Sequence, residues 1–257
     1  MTTDSSDWRN LTLYRYRALN RHSLFQLINR EVYFCDAKEL NDPYDCQISA
    51  ISAINAAIST AETITTKPVR ARLDRLANLQ DWPIKIEDDF RNAGILSLST
   101  EELNVFLWSY CASDHSGICI GFRFSSIFTD FGSHDNILGI FPCRYSNKNP
   151  FLDFFVELAQ TDDWPSWDEL WPRIISTGML AKSEAWRNEN EVRIIRAATG
   201  YVKYEPYEIS EIIFGLRMSE FNKITISKLL SGKAWAHVKY RKVVRVDDGF
   251  ELAIVDA

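Results

Sequence analysis

Two glutamates separated by a single residue are the side chains best suited to chemistry in this sequence. Glu189 and Glu191 lie in the segment K-S-E-A-W-R-N-E-N-E-V-R-I-I-R, where a polar stretch becomes an apolar strand. Residues i and i+2 of a strand project from one face about 7 Å apart, so we expect both carboxylates to reach one cavity, with Arg193 on the same side. Like charges in a closed site disfavour ionisation unless arginines compensate. The same spacing also fits an exposed ladder of glutamates and arginines, which contributes under ~1 kcal/mol per pair.

Two further groups of side chains offer alternative chemistry. The segment N-D-P-Y-D-C carries Asp42 and Asp45, hard oxygen ligands for a divalent ion, but no third ligand follows nearby in sequence. A turn whose carboxylates accept hydrogen bonds from backbone amides is the simpler prediction. Cys111 and His115, four residues apart, fit either a nucleophilic pair on one helix face or a buried thiol beside a capping histidine. The sequence contains no phosphate-binding G-x-x-x-x-G-K-[ST] loop, G-x-G-x-x-G, H-E-x-x-H or G-x-S-x-G motif.

The composition limits the class of protein. A chain of 257 residues with 46% hydrophobic and 13% aromatic residues can fill a sizeable core, which argues against intrinsic disorder. The net charge of −6 disfavours broad wrapping of DNA or RNA, without excluding a local basic pocket for nucleic acid. Five cysteines with no C-x-x-C pair are typical of reduced thiols, and no apolar run approaches the ~18 to 20 residues that span a bilayer. We therefore expect a cytoplasmic protein with no membrane partner.

The pattern of apolar residues predicts an α+β fold. Strand-like segments occur near both ends and helical segments between them, without a regular β-α-β alternation. We expect a single domain over residues 1–257, with a mixed or antiparallel sheet in a core at about 11–257. Helical spacing predicts a helical insertion at about 49–92, and residues 1–10 read as a polar N-terminal extension.

The first predicted strand, T-L-Y-R-Y-R, separates aromatic from basic side chains. Alternation places Tyr14 and Tyr16 on one face, and Arg15 and Arg17 on the other. The short helix that follows is expected to begin at Ser23 as its N-cap. Later segments with strand character are G-I-L-S-L-S at 94–99, G-I-C-I-G-F at 117–122 and E-V-R-I-I-R at 191–196.

Several of these motifs occur together in one known family. They are L-Y-R-Y-R, N-D-P-Y-D-C, L-W-S-Y-C-A-S-D-H-S-G-I-C-I-G-F, C-R-Y and K-x-x-x-W-x-x-E-x-E-x-R. The chain closely resembles the bacterial domain-of-unknown-function family 2971 from about Leu13 to Gly215. One position departs from the family pattern: Tyr110 stands where W-S-H-Y-A would place a histidine.

The motif order also resembles, remotely, the layout of the ADP-ribosyltransferases. That layout has an arginine- or histidine-bearing first strand, a middle strand with a small hydroxyl or an aromatic residue, and a late E-x-E strand. The resemblance assigns Arg15 or Arg17 to the first motif, Ser97 or Ser99 to the second, and Glu189 and Glu191 to the third. It implies a fold like that of these enzymes, with Glu191 catalytic and Glu189 orienting or deprotonating an acceptor nucleophile.

The same resemblance implies NAD as the substrate, an acceptor that the sequence does not specify, and no metal. An arginine fork suits the diphosphate, and Tyr14, Tyr16 or Trp108 can stack on the nicotinamide or adenine ring. Tyr110 and Arg193 are further candidate binding residues. Such chemistry suits an ADP-ribosyltransferase or NAD glycohydrolase that acts as a toxin or phage-defence effector.

Two other classes remain open at this point. A metal-dependent nuclease or phosphodiesterase would use Asp42, Asp45 and the glutamates, and a non-enzymatic binding or sensor module would need none of them for catalysis. The transferase hypothesis makes the sharper prediction, because it requires Glu191, a first-strand arginine and Ser97 or Ser99 to line one cleft.

Overall fold

A computed structural model describes most of the chain. The described residues are 11–47, 49, 52–53, 55–57, 59, 71, 74, 90, 92–124, 137–161 and 165–257. The predicted N-terminal extension at 1–10 lies outside these residues, and so does most of the predicted helical insertion at 49–92. Of the helices within the described ranges, none has the length and apolar character needed to cross a membrane.

The secondary structure elements are numbered here in chain order. The strands are β1 Leu13–Arg17, β2 Glu31–Phe34, β3 Gly94–Ser99, β4 Ile118–Phe122, β5 Ile137–Pro142, β6 Arg144–Tyr145, β7 Ala181–Lys182, β8 Glu191–Arg196, β9 Gly200–Lys203, β10 Ile209–Phe214, β11 Lys239–Arg245 and β12 Leu252–Asp256. The helices within the described residues are α1 Arg21–Asn29, α2 Val105–Tyr110, α3 Pro150–Gln160, α4 Trp167–Met179 and α5 Glu220–Leu229. Short 3₁₀ helices lie at Ala37–Glu39, Glu184–Glu189, Pro206–Glu208 and Lys233–Trp235.

The chain divides into two compact units. The first comprises Met1–Phe34, Gly94–Pro142 and Asn188–Ala257, and the second comprises Cys35–Ala93 and Cys143–Arg187. Because one domain can contain more than one such unit, the single domain expected over residues 1–257 stays a prediction.

A mixed sheet of eight strands organises the first unit, which confirms the predicted α+β class. Its strand order is β12-β11-β10-β4-β1-β3-β8-β5. Neighbouring strands run antiparallel except β10 and β11, which run parallel. Strands β2 and β9 form a separate antiparallel pair. Segments far apart in sequence therefore become neighbours in the centre of the sheet, where β1 lies between β4 and β3.

The two faces of the sheet bury different side chains. One face carries an aliphatic cluster that includes Leu13, Leu98 and Val192. The opposite face buries Tyr16 and Trp108, whose rings meet edge to face with 5.2 Å between their centroids. The division follows from strand geometry, because successive side chains of a strand such as β1 point to opposite faces of the sheet.

Helix α1 begins earlier than the sequence suggested. Asn20, not Ser23, is its N-cap: the Asn20 side chain accepts hydrogen bonds from the backbone N–H groups of His22 and Ser23. Ser23 instead occupies the third helical position, and its hydroxyl accepts a bond from the Asn20 backbone N–H. Asparagine and serine are both good N-cap residues. Here the reciprocal hydrogen bonds form a capping box in which Asn20 is the N-cap and Ser23 is the third helical residue.

The second unit combines two helices with a short parallel pair. Strands β6 and β7 pair in parallel, with Arg144 beside Ala181 and Tyr145 beside Lys182. Helix α3 begins at Pro150 because Asn149 caps it by accepting a hydrogen bond from the Phe151 N–H, 3.0 Å away. Its buried face is largely aromatic, since Phe151, Phe154 and Phe155 all point inward.

Candidate functional site

Three strands of the first unit bring together residues that are distant in sequence. Tyr14 on β1 is the register partner of Ser99 on β3, and Ser99 is the partner of Glu191 on β8. Side chains paired in this way project from the same face of a sheet. Tyr14, Ser99 and Glu191 therefore form a row across three neighbouring strands, and this row anchors the candidate site.

Glu191 is held by an arginine on its own strand. Arg193 Nε donates to Glu191 Oε1 at 2.8 Å, and Arg193 Nη2 donates to Glu191 Oε2 at 3.2 Å. Both side chains are almost fully buried, with 0% of Arg193 and 4% of Glu191 exposed. The two residues lie on one face because they are two positions apart on β8, as the sequence predicted. Such a two-bonded pair fixes the orientation of the carboxylate.

Glu189 does not lie on the strand, so the expectation that both glutamates extend from one strand face is wrong. It ends the 3₁₀ helix Glu184–Glu189, and Asn190 then adopts a left-handed conformation with φ of 45° before β8 begins. Asparagine tolerates this conformation better than most residues. The left-handed turn at Asn190 breaks the strand alternation that would have put Glu189 and Glu191 on one face. Glu189 is nevertheless buried, and Ser99 Oγ donates to its backbone oxygen at 2.8 Å.

A tyrosine hydroxyl ties the Glu189 carboxylate to helix α2. Tyr110 Oη donates a hydrogen bond to Glu189 Oε1, while the Tyr110 side chain remains 47% exposed. Burial of the phenol, and then the two nearby glutamates, raise the pKa of Tyr110 far above its usual 10.0. The phenol therefore stays protonated and acts as a donor to Glu189. Tyr110, a candidate binding residue in the sequence, thus lies beside Glu189.

Arg15 and Arg17 lie on the face of β1 opposite to Tyr14, which contradicts the expectation that they share a cleft with Glu191. Arg15 is the register partner of Ile120, whose side chain belongs to the aliphatic face. Arg15 Nη2 donates to the Tyr33 backbone oxygen at 3.4 Å, and both arginines border a cavity of only about 10 Å³. Strand alternation alone enforces the separation, because positions 14 and 15 cannot point the same way.

Tyr16 and Trp108 are buried, so neither ring is available for the predicted stacking on a ligand. Trp108 is 0% exposed and Tyr16 is 6% exposed. Tyr16 Oη donates to the Glu101 backbone oxygen at 2.6 Å and accepts from the Asn104 N–H at 3.0 Å. These bonds and the edge-to-face contact give both rings a packing role.

Tyr14 contacts a charged cluster that the sequence analysis did not identify. Its hydroxyl lies 3.1 Å from Glu102 Oε2 and 3.2 Å from Glu211 Oε1. Arg241 Nη1 bridges the same two carboxylates at 2.7 and 2.9 Å. Burial and the two carboxylates raise the pKa of Tyr14 far above its usual 10.0. Glu211 is the single charged residue in the otherwise mostly apolar strand I-S-E-I-I-F, and a charge in such a strand is a sequence signal for a buried, paired carboxylate.

The remaining predicted residues fall into separate places. Ser97 is the register partner of Arg193, and its hydroxyl is buried without a hydrogen bond. His115 lies near Ser109 rather than in a defined pair with Cys111: Ser109 Oγ and His115 Nε2 are 3.3 Å apart. Asp42 and Asp45 form the predicted turn, in which Asp42 Oδ1 accepts from the Tyr44 N–H at 3.0 Å. Within the described residues, no group of three or more His, Cys, Asp or Glu side chains could hold a metal ion.

Comparison with known proteins tests the family predicted from the motifs. No match was found among curated proteins or solved structures. The matching family model is described as Protein of unknown function (DUF2971) and covers residues 107–194, from within α2, through β4, to the start of β8. Residues 107–194 are therefore similar to this family, and over these residues the resemblance predicted from the motifs is confirmed.

Proposed function

We propose that the chain cleaves the nicotinamide–ribose bond of NAD and passes ADP-ribose to water or to another acceptor. The observation that carries the proposal is the row of Tyr14, Ser99 and Glu191 across β1, β3 and β8. In the transferase-like motif order, a first, a middle and a late strand each contribute one residue to the site. Ser99 and Glu191 of the row are residues that the resemblance assigned to the second and third motifs, and Tyr14 takes the β1 position that the resemblance assigned to Arg15 or Arg17.

The glutamates supply the chemistry that this reaction needs. Cleavage of an N-glycosidic bond develops positive charge on the ribose, and a fixed carboxylate stabilises that charge. Arg193 holds Glu191 in one orientation, so Glu191 is the carboxylate for this role. Glu189, bonded to the half-exposed Tyr110, orients the acceptor or deprotonates it.

The residues near Glu189 and Glu191 offer contacts to the nicotinamide and ribose of NAD but not to its diphosphate. Tyr110 is 47% exposed and offers a flat ring to the nicotinamide beside the acidic pair. The diphosphate, by contrast, has no partner in Arg15 or Arg17, because both lie on the other face of β1. Arg193 is already bonded to Glu191. The proposal therefore rests on the ribose end of the substrate.

Release of nicotinamide from NAD tests the proposal directly. The full chain is incubated with NAD, with and without protein and small-molecule acceptors, and free nicotinamide is measured by liquid chromatography. We expect release from the wild-type chain and a loss of at least about a hundredfold in Glu191→Gln, since removal of one stabilising group in a transition state costs about that much. Absence of release from the wild-type chain under every condition would overturn the proposal.

Two further variants separate catalysis from folding. Glu191→Gln leaves Arg193 without its charged partner, so the melting temperature and circular dichroism of each variant must accompany its rate. Glu189→Gln keeps the oxygen that accepts from Tyr110, and we expect it to reduce transfer to an acceptor more than hydrolysis. Glu220→Gln removes an exposed carboxylate on α5 and should leave the rate unchanged. Equal loss in all three variants would refute the assigned roles.

A further inference from the structure

Strand β12 lies at one end of the eight-stranded sheet, and within the described part of the chain it pairs only with β11. Its register with β11 is uninterrupted from Arg241 beside Asp256 to Arg245 beside Leu252. The outer edge of such a strand presents main-chain N–H and C=O groups with which a further strand can form hydrogen bonds. The proposed reaction uses none of these residues, so the edge needs an explanation of its own.

Hydrogen bonds at the two ends of β12 show which of its residues face outward. The Val246 N–H donates to the Glu251 oxygen at 3.1 Å, and the Ala257 N–H donates to the Tyr240 oxygen at 3.1 Å. Along an antiparallel strand, the main-chain groups of successive residues point alternately toward the neighbouring strand and away from it. Since residues 251 and 257 face β11, residues 253 and 255 also face it. The residues whose main-chain groups point away from β11 are therefore Leu252, Ile254 and Asp256.

The two ends of the described sheet differ in their protection against a further strand. Strand β5, at the other end, has an irregular register between Ile137 and Gly139, and it ends with Pro142, which has no N–H to donate. A bulge and a proline both hinder pairing at an edge. Strand β12 reads L-A-I-V-D, without proline, glycine or lysine, and its pairing with β11 has no bulge. The edge of β12 therefore lacks the protection that β5 carries.

A second copy of the chain fits this edge because β12 is complementary to itself. When two β12 strands pair antiparallel about Ile254, this residue faces Ile254 of the second copy and Leu252 faces Asp256. All three outward residues of each copy then lie in hydrogen-bonded pairs, and each pair exchanges two hydrogen bonds. The same register sets Ala253 opposite Val255, whose side chain is 41% exposed in the single chain. Apolar side chains thus meet across the seam, and the aspartates do not face each other.

We propose that two copies of the chain form a symmetric dimer by antiparallel pairing of their β12 strands, which joins the two sheets. The self-complementary register favours a second copy over a strand of another protein, because one patch serves both partners. The seam is only five residues long, whereas standard interfaces bury about 1,200–2,000 Å², so the dimer dissociates on dilution. The proposal is independent of NAD cleavage, because it involves different residues.

Sedimentation velocity of the full chain over a wide range of concentrations tests the proposal. We expect the mass of one chain at low concentration and of two chains at high concentration. Ile254→Lys and Ile254→Glu each place like charges directly opposite across the seam, so each variant alone should remain monomeric. An equal mixture of the two places opposite charges there and should form a heterodimer. Loss of packing within one chain cannot produce this recovery.

Two further variants complete the test. Asp256→Pro changes an exposed residue and removes an N–H that points away from β11, so the ladder with β11 should persist. It should raise the dissociation constant at least about tenfold, because the dimer loses one hydrogen bond from each copy. Ile224→Lys is the matched control: it introduces the same charge at an exposed isoleucine of α5, outside the sheet, and should dimerise as the wild-type chain does.

The melting temperature of each variant is measured beside its mass, since Ile254 is partly buried. A wild-type chain that stays monomeric at every concentration would overturn the proposal and leave the edge to a strand of another protein. Folded lysine and glutamate variants that dimerise separately, or that fail to associate when mixed, would also overturn it. An Asp256→Pro variant that dimerises as tightly as the wild-type chain would exclude pairing through β12.

Discussion

The buried pair of Glu191 and Arg193 makes a strong prediction about stability. Their facing atoms are 2.8 and 3.2 Å apart, so the charges are separated by about 4 Å. At an effective dielectric constant of about 20, this separation corresponds to an attraction of ~4 kcal/mol. Because 0% of Arg193 and 4% of Glu191 are exposed, loss of one residue leaves the other buried without its oppositely charged neighbour on β8, at a cost of about 3–5 kcal/mol.

A double-mutant cycle measures this interaction. Glu191→Gln and Arg193→Met should each lower the free energy of unfolding by about 3–5 kcal/mol, but the double variant should lose less than the sum, with a coupling energy near ~3 kcal/mol. Urea unfolding is followed by the fluorescence of the eight tryptophans. Glu220→Gln, which breaks an exposed pair with Lys223, should leave the midpoint unchanged. Single losses below ~1 kcal/mol that add in the double variant would show that the pair is not buried as described.

Three further substitutions test separate parts of the first unit. Gly215→Ala should destabilise the fold by about 1–3 kcal/mol in urea, because a Cβ there would lie 2.2 Å from the His115 backbone oxygen, whereas Gly249→Ala meets nothing within 4 Å and should not. Asn20→Ala should cost about 1 kcal/mol by removing the cap of α1, measured in the same way. Burial, and then Arg217, lower the pKa of His115 below its usual 6.5. The folded state therefore binds fewer protons than the unfolded state, so stability should fall as the pH drops through about 6.5. His115→Asn tolerates the left-handed φ of 65° and should lack this component; an identical pH dependence of the urea midpoint would refute the assignment.

Local rules predicted the features that depend on a few neighbouring residues. Alternation on the first strand correctly separated Tyr14 and Tyr16 from Arg15 and Arg17, and it placed Arg193 on the side of Glu191. The proline and aspartates of N-D-P-Y-D-C correctly indicated a turn. Each of these predictions uses the geometry of one element, and tertiary structure did not override it.

The predictions that failed required information about pairing or about a single backbone angle. The motif comparison assigned a first-strand arginine to the site, although alternation on the same strand already separated arginines from tyrosines. The tyrosine side of β1 shares a face with Glu191 because of the register of β1 with β3 and of β3 with β8. Glu189 lies outside the strand because Asn190 adopts a left-handed backbone conformation. The second asparagine of N-E-N-E was the sequence signal for this turn, since asparagine adopts that conformation more readily than most residues. Trp108 looked accessible within a polar motif, but its ring packs on Tyr16 from a distant strand.

The spacing in K-x-x-x-W-x-x-E-x-E-x-R has a local physical explanation that limits what the motif can prove. The Lys182 ammonium lies over the Trp186 ring, and Arg193 neutralises Glu191. Asn190 turns the chain between the two glutamates, so the like charges are not presented side by side on one strand. Stability alone can therefore account for the motif, and the motif by itself is weak evidence for catalysis. The row of Tyr14, Ser99 and Glu191 has a different origin, because it is set by the register of β1 with β3 and of β3 with β8 and not by an interaction within the motif.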